Sequence, residues 1–172
     1  AQGRAPGLAV VLVGDDPASQ VYVRSKDKAA TEAGFVVSTI RMSADVTQTD
    51  VESIVDQLNA DDSVDGILVQ LPLPRQLDSD AVVDRIAPEK DVDGLTAANV
   101  ARLSMGRPGL VPCTPAGCIE ILDRHGIDLS GKDVVVIGRS QLVGKPFAQL
   151  ALARNATAVS YTHLRAHETS PD

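Results

Sequence analysis

Apolar residues recur along this chain at two alternating periods. Gly7 to Val13 is a continuous apolar run closed by Gly14-Asp15-Asp16-Pro17, the pattern of a buried strand followed by a loop. Ser19 then stands where an N-cap is expected, for a helix that continues to about Ala33 and stops at Gly34. Phe35 to Arg41 reads as a second strand. Thr49-Asp50-Val51-Glu52 has the form of a capping box, and Val51, Ile54, Val55 and Leu58 recur at i, i+3, i+4, i+7, marking the buried stripe of a second helix. Gly66 to Gln70 predicts a third strand. It ends against Leu71-Pro72-Leu73-Pro74, whose prolines can extend neither a central strand nor a helix interior.

Strands alternating with helices through short connections predict a parallel sheet covered on both faces, with ligands at the carboxyl ends of the strands. A weaker helix is expected over about Asp78 to Ile86, then a loop from Pro88 to Gly94 and a short helix from about Ala97 to Met105. Pro112-Cys113-Thr114-Pro115 opens a further helix, with Thr114 as N-cap and Gly126 as terminator. After Ser130-Gly131-Lys132 the pattern restarts with a strand over Asp133 to Ile137, a loop over Gly138 to Gly144 and a helix over Lys145 to Arg154. The expected fold is therefore α/β. An N-terminal parallel-sheet αβα domain, 1–109, precedes the start of a Rossmann-type nucleotide-binding domain, 110–158, with a boundary close to Leu110.

Composition narrows the functions this architecture can serve. Among 172 residues, 16 Lys and Arg stand against 23 Asp and Glu, a formal charge of -7. That balance is a poor match to a phosphate backbone, and two Tyr, two Phe and no Trp leave little for a base-stacking platform, so nucleic acid is not an expected partner. The early apolar run, Leu8 to Val13, is far shorter than the roughly 20 residues of a membrane helix and follows no basic segment. A soluble intracellular chain is expected. Cys113 and Cys118 fit neither a disulfide framework nor a zinc pattern, so reduced thiols and no metal are expected.

Four segments carry candidate chemistry. Tyr22 and Lys26 share one face of the first helix just beyond the first strand, where a phenol and an amine could orient a substrate and exchange protons with it, although a plain surface pair has the same spacing. Gln70 places a neutral amide at a strand terminus, able to hold a lysine or a substrate carbonyl, or simply to cap the strand. Asp91 and Asp93 lie in a loop closed by Gly94; alternate spacing sends them in different directions, so at most one faces a given site. Gly138-Arg139-Ser140 through Gly144-Lys145-Pro146 lies between an apolar strand and a helix, the setting of a dinucleotide loop. It departs from G-x-G-x-x-G at Ser140 and in its last interval. No acidic residue stands between Asn155 and Ser160 to hold a ribose 2′-OH, and Arg139 suits a 2′-phosphate, which favours NADP over NAD.

Together these stretches resemble the bifunctional methylenetetrahydrofolate dehydrogenase/methenyltetrahydrofolate cyclohydrolase family. The resemblance rests on Val13 to Ser19 with Tyr22 and Lys26, Asp65 to Pro74, Pro88 to Leu95, Pro112 to Gly117, and Val135 to Pro146, in the family's order, and it runs from about Pro6 to Thr157. It implies that Tyr22 orients the folate, Lys26 is the catalytic amine, and Gln70 holds Lys26 or the substrate, with Leu71 and Pro72 beside it at the substrate position. Asp93 looks like the folate-binding carboxylate, Gly138, Arg139 and Ser140 match the NADP loop, and Cys113 and Thr114 are structural. The implied reactions are NADP-dependent oxidation of 5,10-methylenetetrahydrofolate and hydrolysis of the methenyl product to 10-formyltetrahydrofolate. The implied setting is a cytoplasmic homodimer when full length.

The chain also departs from the family pattern. A helix expected before the first strand is missing, and so are the strands and helices expected after Ala158. From Val159 onward, 159–172, the residues follow neither family pattern nor strand alternation and read as a foreign, disordered tail that includes His163 and His167. Short-chain dehydrogenases also use Tyr-x-x-x-Lys, but there the glycine loop precedes the pair, and here it follows. A non-catalytic folate- or nucleotide-binding fragment is the remaining alternative.

Overall fold

The computed structural model describes residues 3–161. The chain divides into two compact units, the first Ala1–Val92 with Thr96–Ala98, the second Asp93–Leu95 with the chain from Asn99 onward.

In the first unit, β1 (Gly7–Val13) sits at the centre of a three-stranded parallel sheet between β2 (Val36–Met42) and β3 (Gly66–Val69). Registers run from Gly7 opposite Val36 to Val13 opposite Met42, and from Leu8 opposite Gly66 to Val11 opposite Val69. Strand alternation divides β1 between two cores. Ala9, Val11 and Val13 pack with Val51 and Val55 of α2 (Gln48–Ala60) and with Val82 of α3 (Ser79–Asp84). Val10 and Leu12 pack with Val23 of α1 (Pro17–Glu32). A strand covered on both faces must be apolar throughout, which is the run seen in the sequence.

Several boundaries differ from expectation for identifiable reasons. The N-cap of α1 is Asp16, whose carboxylate accepts from the Ser19 N–H at 2.7 Å. Pro17 then occupies the first helical turn, where its missing N–H costs nothing, so Ser19 lies inside the helix. The capping box of α2 is made by Thr47 and Asp50 instead of Thr49 and Glu52. Gln48, inside the earlier start, accepts from the N–H of Asp78 at 2.9 Å and ties α2 to the head of α3.

The second unit takes in most of α4 (Ala97–Ser104), then α5 (Cys113–Arg124), β4 (Asp133–Ile137), α6 (Gly144–Ala153) and β5 (Thr157–Tyr161). The expected boundary near Leu110 falls inside this unit. A Cβ on Gly94 would meet Leu110 O at 2.8 Å, and one on Gly109 would meet Arg102 Cδ at 3.0 Å, so these segments lie against one another. α5 is capped at Pro112, without a side-chain bond, which places Thr114 inside the helix and not at its N-cap. β4 and β5 pair in parallel. Ile119, Leu129, Ala151 and Ala156 form the core with Val134 and Ala158, while Val135, Ile137 and Val159 face outward. Val159 to Tyr161 are therefore strand, held by the β4 ladder, where the sequence reading placed unstructured tail. His163, His167 and the rest of 162–172 lie outside the described residues.

Candidate functional site

The chain leaves β1 through Gly14, which takes a φ of +83°, and re-enters as α1 under the Asp16 cap. Val23, fully buried, holds α1 on the sheet. Lys26, three residues further on, lies on the adjoining face and is half-buried. At the far end of β3, the Gln70 N–H donates to Val11 O at 2.9 Å as the ladder finishes. The Gln70 side chain is buried beneath the exit loop that begins with Leu71 and Pro72.

Lys26 Nζ donates to Gln70 Oε1 at 3.2 Å. The other end of the same amide, Nε2, donates to Leu71 O at 2.7 Å. That second bond fixes which way the amide points, so its oxygen is the atom presented to the amine. An amide holds the amine without a charge, whereas a carboxylate there would favour the protonated form. Tyr22 lies one turn before Lys26 and is 62% exposed, its ring free to meet a ligand. Asp27, for which the sequence pattern carries no signal, ties α1 to β2 by accepting from Thr39 Oγ1 at 2.8 Å.

The two loop aspartates are used differently. Asp91 is 1% exposed, accepts from the Thr96 N–H at 2.9 Å and bridges to Ile67 as a single parallel pair beside β3. Asp93 is half-buried and falls in the Asp93–Leu95 segment of the second unit. In the sequence, Lys90 is marked only as a residue of the Pro88 to Gly94 loop. Its ammonium donates to Leu58 O, Asn59 O and Asp61 O at 3.1, 2.9 and 2.8 Å, closing the C-terminus of α2. The available signal was that the last turn of α2 carries no basic residue of its own.

In the second unit, Gly138 follows β4 with a φ of +133°, and the space its missing Cβ would fill is open, as close backbone approach by a dinucleotide requires. Gly144 is needed for a different reason, since a Cβ there would meet Gly138 O at 2.9 Å. The first N–H groups of α6 are engaged within the loop itself. Ser140 Oγ accepts from the N–H groups of Val143 and Gly144 at 3.2 and 3.3 Å, and Ser140 O accepts from Lys145 N at 3.0 Å. Arg139 is exposed beside this turn. A cavity of about 260 Å³ in the same unit is lined by Val100, Leu103, Pro112, Lys145, Pro146 and Gln149 among others. Among the described residues, no three His, Cys, Asp or Glu side chains converge as a metal site, and no helix is long and apolar enough to cross a membrane.

Comparison with known proteins matches both units. The model of the tetrahydrofolate dehydrogenase/cyclohydrolase catalytic domain covers residues 1–93, and that of the tetrahydrofolate dehydrogenase/cyclohydrolase NAD(P)-binding domain covers 112–171. The bifunctional protein FolD of Sphingopyxis alaskensis is 61% identical over 166 residues, 96% of this chain and 54% of that protein. Its counterpart in Maricaulis maris is 58% identical over 163 residues, 95% of this chain and 54% of that protein. Among solved structures, the bifunctional FolD methylenetetrahydrofolate dehydrogenase/cyclohydrolase of Campylobacter jejuni superposes with a TM-score of 0.93 at 43% identity, covering 96% of this chain and 59% of that one. The Trypanosoma brucei enzyme, complexed with NADP cofactor and inhibitor, gives 0.89 at 40% identity, covering 94% and 55%. The chain spans about half the length of the curated relatives it matches.

Proposed function

Because the chain belongs to the tetrahydrofolate dehydrogenase/cyclohydrolase family, we propose that it serves one-carbon chemistry on tetrahydrofolate, oxidising the 5,10-methylene derivative and hydrolysing the methenyl product to 10-formyltetrahydrofolate. The observation that carries the reading is the Lys26 amine held by the Gln70 amide at the carboxyl end of β3, where a parallel sheet presents its ligands. Tyr22 supplies an exposed ring to orient the pterin, with Leu71 and Pro72 at the exit loop beside Gln70. Asp93 supplies a carboxylate to accept from the pterin's polar edge.

In hydrolysis, water adds to the cationic methenyl carbon and gives up one proton to the Lys26 amine. The carbon–N5 bond then breaks, N5 takes the proton back from Lys26, and the new hydroxyl loses its proton to solvent as the formyl group forms. Gln70 keeps the amine aimed through both transfers. Gly138 permits the close backbone approach of NADP, and Arg139 offers a guanidinium to its 2′-phosphate. The cofactor, when bound, supplies the hydride acceptor for the oxidation. The same reading has the full-length protein act as a cytoplasmic homodimer, with neither nucleic acid nor membrane as partner.

The test is Lys26→Met. Hydrolysis of methenyltetrahydrofolate, followed by its absorbance, is expected to fall at least a hundredfold, the scale of a lost general acid–base group, while tetrahydrofolate still binds. Parental hydrolysis in that variant removes Lys26 from the mechanism. Folate binding without turnover in the parent chain supports a narrower role as a folate-binding protein.

A further inference from the structure

The segment leading to Asp93 is held at several points, four of them on Lys90. An ammonium has three N–H donors. All three of Lys90's are taken by carbonyls at the end of α2, those of Leu58, Asn59 and Asp61. The Asn59 side chain holds the start of the same segment, accepting from the Ala87 N–H at 2.9 Å and donating to Arg85 O at 2.8 Å. The Lys90 carbonyl in turn accepts from the Ile67 N–H at 2.7 Å, so the residue that caps α2 also starts the pairing of this segment with β3. Next, Asp91 bridges to Ile67, and Val92 lies directly over Gly66, where an added Cβ would collide with its Cγ1.

We propose that Lys90 is a positioning residue for the substrate-binding carboxylate. By fixing where residues 90–92 run beside β3, it sets where Asp93, the next residue, is presented. Gly66 admits the segment closely enough for the pairing to form. The proposal rests on the reading of Asp93 as a folate-binding group, and its test separates the two. Lysine suits this place because three convergent donors on one flexible stem meet three carbonyls, whereas a guanidinium spreads its donors in a plane.

The experiment is a double-mutant cycle on the full chain, with tetrahydrofolate as the binding probe and Lys90→Gln, Asp93→Asn and the pair together as variants. Circular dichroism melting reports folding, and amide exchange at Ile67 reports the Lys90 pairing directly. Asp93→Asn is expected to weaken binding about tenfold. Lys90→Gln is expected to weaken it by a similar factor and to speed exchange at Ile67, yet to add less than twofold in the Asp93→Asn background. An equal loss from Lys90→Gln in both backgrounds shows a merely structural role and overturns the proposal while the Asp93 reading stands. Unchanged binding in Asp93→Asn, or no binding by the parent chain, overturns that reading and the proposal with it. Should Lys90→Gln fail to fold, Lys90→Arg enters the same cycle. Partial recovery of affinity that depends on Asp93 supports the proposal, and losses independent of Asp93 overturn it.

Discussion

Among the described residues, two of the clearest ionic contacts are bidentate arginine–aspartate pairs. Arg85 Nε and Nη2 each meet an Asp56 oxygen at 2.7 Å in the first unit. Arg154 meets Asp123 at 2.7 and 2.8 Å in the second. The arginine hydrogen bonds hold both carboxyls below the usual aspartate range. Both lie at the surface, so water and salt temper each contribution. A carboxyl whose pKa is lower folded than unfolded stabilises the fold fully above the unfolded value, and the benefit is lost as pH falls through the folded one. Asp56 and Asp123 therefore contribute constantly at neutral pH and lose their contribution below about pH 4. The melting temperature is expected to drop as the solution is taken from pH 5 to pH 3, and to drop less steeply in Asp56→Asn. An identical acid slope in that variant would assign the acid sensitivity to other groups.

At the scale of elements, strands were more legible than helix ends. Gly7–Val13 and Asp133–Ile137 match the expected spans, because each is an apolar run bounded by turn residues. Helix starts depended on neighbours far along the chain. Thr47-Gln48-Thr49-Asp50 and Thr49-Asp50-Val51-Glu52 offer nearly the same local signal. The earlier start is favoured by Gln48 reaching Asp78, 30 positions away. Thr47→Ala is thus expected to cost about 1 kcal/mol in denaturant unfolding, whereas Thr49→Ala stays within about 0.5 kcal/mol. The reverse order would return the cap to Thr49. The pairing of Lys26 with Gln70, 44 positions apart, was likewise beyond what periodicity could say. Spacing placed each at a strand's carboxyl end, and only the family resemblance joined them. Lys90 is hard to read from sequence because its ammonium works on backbone carbonyls 29 to 32 positions away, and the missing basic residue in the last turn of α2 is the one local hint.

Across the whole molecule, the sheets of the two units are dressed unequally. In the first, β1 is covered on both faces, whereas in the second Val135 and Ile137 are 60% and 77% exposed on the face opposite the Val134 side. Ile137→Lys is accordingly expected to leave unfolding stability within about 0.5 kcal/mol and to reduce light scattering at high concentration, while Val134→Lys, which forces a charge against the core, lowers stability sharply. Equal losses from the two would mean that both faces are covered in solution. The central place of β1 has a consequence for synthesis. β1 precedes both of its partners in the chain, and during translation its hydrogen-bonding edges stay bare, one until residue 42 has emerged and the other until residue 69. Ribosomal pausing between those codons would prolong the interval in which the second edge is bare, and the amine gains its amide only when that interval closes.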